Sequence, residues 1–133
     1  MKRFHLIAGL LLAIIFLLTG QYMDRFHSHL QGMADGPRML YRSRHIYILL
    51  SALLHLGIGT YFKYQLETWR RILQLVGSLL ISIASVLFII AFFYEPTLTN
   101  LYTPVSRKGI FISVAGVLLH LLSGTKSTER IKP

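Results

Sequence analysis

The chain has no cysteine, one tryptophan and only five acidic residues in 133. Without cysteine there are no disulfides, thiolate copper sites or cysteine-ligated iron–sulfur clusters. Any metal must then be held by histidine, methionine, carboxylate or backbone oxygen. The acids are absent from four long stretches, residues 4–20, 45–62, 72–94 and 109–124, which also contain no lysine or arginine. At 1.5 Å per helical residue these runs measure about 26, 27, 34 and 24 Å, against a hydrocarbon core of about 30 Å. Embedded carboxylates are therefore missing, which disfavours carboxylate-based proton coupling and leaves a stand-alone transporter as a third-ranked reading. No Ser-His-Asp order, Gly-rich phosphate loop or HExxH pattern occurs, so neither hydrolase nor nucleotide chemistry is expected.

What is present is apolar: 53% hydrophobic residues in a chain short enough to form one domain, residues 1–133. The expected fold is an all-α integral membrane protein, a four-transmembrane-helix antiparallel bundle with an outer loop at 21–44 and a frayed tail at 125–133. Lys2 and Arg3 before an apolar core also fit a secretory signal, but Gly20-Gln21-Tyr22 offers no small-x-small cleavage site. The first run is read as a retained helix. The net charge of +9 is spread over helix ends, which suits anionic lipid headgroups and not a nucleic-acid groove. Lys2-Arg3 favours an inside N-terminus; both termini are then inside, with eight basic residues inside and six outside. The compactness suggests a bacterial inner membrane. The connection at 63–71 is short and makes the second and third helices antiparallel neighbours. Asp35-Gly36-Pro37 is a helix-start signal, so the second helix is expected to begin near Pro37 and stand proud of the membrane. Residues 22–33 read as a separate short surface helix. An Ala-Gly-x-Leu-Leu pattern recurs at 8–12 and 115–119, which in so leucine-rich a chain is expected by chance.

Three constellations have chemical content. His55 and His120 are the ionisable residues deep in the runs, at similar depth on two helices. Each belongs to a stripe of small or polar residues that should face the bundle. Two such histidines can ligate a haem b iron or share a metal. The bland alternative is a histidine bonded to a serine or carbonyl of a neighbouring helix, with Gln74, Ser78, Ser82 and Ser85 on the third helix as partners. In the outer loop, His27, His29, Met33 and Met39 offer imidazole and thioether donors suited to copper. His27 and His29 diverge by about 200° if that segment is helical, and the methionines also suit gap-filling. Finally, Arg38, Arg42 and His45 fall at i, i+4 and i+7 of the second helix, one face. That face can hold a lipid phosphate, a haem propionate or a quinone headgroup, or simply snorkel.

The architecture is broadly similar to small four-helix membrane cytochromes of the b type, a likeness that carries no residue over. Two functions follow. One is a small redox or metal-binding membrane component using the His55/His120 pair. The other is a non-enzymatic accessory or assembly subunit whose basic loop docks lipid, a larger membrane complex or a second copy.

Overall fold

A computed structural model describes residues 1–98 and 102–124, and among them every regular element is helical. The order is α1 (Lys2–His27), α2 (Asp35–Tyr61), α3 (Thr68–Tyr94) and α4 (Pro104–Gly124), with 3-10 turns at Ser28–Leu30 and Glu95–Thr97. Three segments are long and apolar enough to cross a membrane: Lys2–Leu30, Thr68–Thr97 and Pro104–Gly124. α2 is not among them, because Arg38, Arg42, Arg44, His45 and His55 dilute its apolar content. The tail at 125–133 lies outside the described residues.

Cross-helix contacts pair early residues with late ones throughout. Leu6 meets Gly59, Gly9 meets Leu56, and Thr19 meets His45 between α1 and α2. Tyr47 meets Phe88 and His55 meets Ser85 between α2 and α3, while Gly77 meets Gly116 between α3 and α4. Each neighbouring pair is therefore antiparallel. Two pairs approach at backbone distance. A Cβ on Gly77 or on Gly116 would lie 2.8 Å from the other's carbonyl oxygen, and one on Gly9 would lie 2.9 Å from the Leu56 amide nitrogen. Small residues at helix crossings are how apolar helices pack without a hydrophobic drive between them. Gly9 and Gly116 are the glycines of the repeated Ala-Gly-x-Leu-Leu pattern, so its two copies share a role in packing.

The helix boundaries correct two expectations. Residues 22–33 are not a separate surface helix. α1 runs on to His27, since nothing in 21–27 breaks it, and it stops where Ser28, His29 and Leu30 take φ of 44°, 57° and 63°. A left-handed leucine costs about 1–2 kcal/mol, but Leu30 is 3% exposed and belongs to the core cluster that includes Tyr41 and Phe92. Burying it contributes about 1.5–3 kcal/mol, enough to hold the conformation. α2 begins at Asp35, two residues before Pro37, with Ala34 at the cap and no side-chain bond there. Much of the expected outer loop is therefore helical. The core is Ile48, Ala84, Phe88 and Phe92, extended by Tyr41 and Leu30 toward the α1–α2 turn.

Candidate functional site

Two buried polar clusters occupy opposite ends of the bundle. The first gathers at the end where α1 and α3 begin and α2 and α4 finish. His55 and His120 both turn inward there, but a third histidine stands between them. His5, in the first turn of α1, is fully buried, and its ring centroid lies 5.0 Å from that of His55 and 6.0 Å from that of His120. His55 is 1% exposed and His120 half-buried. The two sequence-predicted histidines are thus brought to one place, each within ring distance of His5.

Hydrogen bonds join the rings into a chain through serines of α3. His120 Nε2 and Ser78 Oγ are 3.0 Å apart, Ser78 Oγ and His5 Nε2 2.8 Å, His5 Nδ1 and His55 Nδ1 2.9 Å, and His55 Nε2 and Ser85 Oγ 3.3 Å. Counting protons fixes the direction. Ser85 gives its only proton to the Ile81 carbonyl at 2.9 Å, so it accepts from His55 Nε2–H. A neutral His55 then has a lone pair on Nδ1, which accepts from His5 Nδ1–H. His5 Nε2 accepts from the Ser78 hydroxyl, and Ser78 accepts from His120 Nε2–H. With all three imidazoles neutral, every bond in the chain has one donor and one acceptor, and all four helices contribute. Phe4 and Phe62 cap the cluster edgewise and by stacking. His120 also lines a cavity of about 400 Å³ with Phe62, Lys63, Gln74, Leu121 and Ser123. Its Nδ1 has no partner among the described residues.

The second cluster centres on Glu95, fully buried directly after α3. Its Oε2 accepts from Arg44 Nε at 2.6 Å, and Arg44 is itself only 5% exposed. Its Oε1 accepts from the amides of Val105 and Ser106 at 2.9 and 2.8 Å. Those are first-turn donors of α4 with no intrahelical acceptor, so Glu95 caps that helix from outside it and complements its dipole. Arg44 also donates to Ser43 Oγ at 2.7 Å.

The remaining sequence-predicted residues scatter. His45 turns toward α1, stacking on Phe16 at 4.0 Å and bonding Thr19 Oγ1 at 2.9 Å, so it leaves the face it was expected to share with Arg38 and Arg42. Arg38 donates to the Met33 carbonyl and meets Asp35, while Arg42 is exposed beside it on a shallow cavity. His29 pairs with Asp24 at 2.6 Å near the surface. His27 lies between the rings of Tyr22 and Tyr41, its Nε2 buried without a hydrogen-bond partner among the described residues. Met33 packs against the core and Met39 is 61% exposed. No group of three or more His, Asp or Glu among the described residues is arranged to hold a metal ion.

Sequence reasoning missed His5, Arg44 and Glu95. His5 follows Lys2-Arg3 and reads as part of the charged flank. Its signal was its place in the first apolar run with Gly9 one helical turn on. Glu95 reads as a loop acid bordering an apolar run. No family model matches the chain, and neither a curated protein nor a solved structure is similar to it.

Proposed function

We propose that this chain is a small non-enzymatic subunit of a bacterial inner membrane, spanning it four times with both termini inside. Its buried histidines tie the bundle together, and its basic outer end engages anionic headgroups or an acidic partner. One observation carries the reading: the His120–Ser78–His5–His55–Ser85 chain pairs its members with one another, His120 Nδ1 apart, and draws on all four helices. Buried polar groups that find partners only with each other act as specific ties between apolar helices. The outward faces support insertion, since Leu17 and Phe111 are 64% and 68% exposed and are joined by many other large apolar side chains. In water such faces would be an aggregation liability; in lipid they are at rest. α2 crosses with its polar residues turned into the bundle at Ser51, His55 and Arg44. At the outer end Arg42 and Arg107 are exposed and without ion-pair partners among the described residues, at the level where phosphates lie.

The test is the absorption spectrum of the detergent-purified chain, oxidised and reduced, with metal analysis of the same sample. A colourless, metal-free protein that melts cooperatively is expected. A reduced-minus-oxidised haem signal lost in His55→Ala would replace this reading with a redox one.

A further inference from the structure

We infer that the histidine–serine chain is a proton-binding site with a single mouth, at His120, and that its three imidazoles share one excess proton. The inference rests on the same chain of bonds as the structural reading above, and adds that the chain is reversible.

The geometry gives the path. His120 Nδ1 is the one ring nitrogen of the three left without a partner among the described residues, and His120 lines the cavity beside Lys63 and Gln74. A proton arriving there from water makes His120 a cation. His120 then passes its Nε2 proton to Ser78 Oγ, Ser78 passes its own to His5 Nε2, and His5 passes its Nδ1 proton to His55 Nδ1. His55 ends as the cation, donating to Ser85 and back to His5. Three N–H or O–H bonds break and three form, and no heavy-atom hydrogen bond is lost; the three from His120 to His55 reverse in direction, and the one from His55 to Ser85 keeps its own. Ser85 lies seven residues beyond Ser78, about 10 Å deeper along α3, and its proton is committed to the Ile81 carbonyl. The path closes there, so the chain loads and unloads through one door and does not conduct across the bundle.

The charged surroundings are sparse. On α1 the positive amino terminus lies within electrostatic reach of His5, and past the end of α2 Lys63 stands at the cavity. α3 contributes Ser78 and Ser85, with Arg70 further toward its start held by Glu67 at 2.9 Å. α4 contributes His120. No carboxylate bonds the rings among the described residues, so nothing in the cluster compensates a permanent charge. Uptake is therefore limited to one proton, lost again as the pH rises.

The test is nitrogen-15 histidine NMR on the full chain in nanodiscs of phosphatidylethanolamine and phosphatidylglycerol, from about pH 8 to about pH 4.5, spanning the imidazole range. At high pH, His5 should be protonated on Nδ1, and His55 and His120 on Nε2. Acidification should move all three together, taking up one proton per chain, with His5 exchanging its Nδ1–H for Nε2–H. Ser78→Ala should uncouple His120 from the other two. His120→Gln should leave His5 and His55 neutral across the same range. Three rings that stay neutral with these tautomers throughout would overturn the proton site and leave the structural tie standing. The opposite tautomers at high pH would overturn the loading path, because every bond would already run the other way, and would leave the structural tie standing. Independent titrations, or coupling that survives Ser78→Ala, would overturn the sharing.

Discussion

Arg44 and Glu95 at one end of the bundle, and His5, His55 and His120 at the other, solve the same problem by different means. Both bury polar groups where water is scarce. The Arg44–Glu95 pair uses full charges, and each oxygen of Glu95 is committed, one to the guanidinium and the other to the start of α4. It has one arrangement. The histidine chain uses neutral groups that are donor and acceptor at once, so it has two arrangements with the same heavy-atom positions. Charge gives a fixed joint, and amphoteric rings give one that can change direction.

Removing one partner of the fixed joint should have the largest effect. Glu95→Ala leaves a buried guanidinium and two first-turn amides without acceptors, and should lower stability by about 3–5 kcal/mol, read by unfolding in mixed micelles. Joint replacement by Arg44→Met and Glu95→Leu should recover a good part of that, since no uncompensated charge remains. A double variant no better than the single would mean that capping α4, and not the ion pair, is what Glu95 supplies.

Packing near the histidine end comes next. Gly77→Val would drive its side chain into the Gly116 carbonyl, and a loss of about 1–3 kcal/mol is expected from overpacking. The rings themselves should matter less. His5→Ala and His55→Ala each leave buried partners unpaired and should lower stability by about 1–2 kcal/mol. His120→Ala should do less, because that ring is half-buried and has one bonded partner. A His55→Ala loss equal to that of Glu95→Ala would erase the contrast between the two ends. Smallest of all is Gly57→Ala. An added Cβ there meets nothing within 4 Å, and the change should stabilise by up to about 1 kcal/mol through helix propensity.

The apolar runs were legible because hydropathy and length report directly on helices of this kind. The start of α2 was legible from Asp35-Gly36-Pro37, within two residues of the observed bound. The inward turn of His55 and His120 followed from the small-residue stripes beside them. The end of α1 was not legible, since its left-handed stop uses Ser28, His29 and Leu30 in place of the usual glycine and is held by the tertiary burial of Leu30. His45 was misplaced for a similar reason. Its spacing from Arg38 and Arg42 fits one face, but stacking on Phe16 of α1 decides where it turns, and Phe16 is 29 positions away. Pairings such as Arg44 with Glu95 join residues 51 apart and leave no local periodicity.

The central claim is that these two clusters lie toward opposite faces of a membrane, and single-cysteine accessibility tests it most directly. The chain has no cysteine of its own, and both Ser28, at the end of α1, and Leu66, 91% exposed between α2 and α3, are open to labelling. In intact cells an impermeant maleimide should modify Ser28→Cys and reach Leu66→Cys only after the membrane is opened. Labelling of both from the same side would contradict the account.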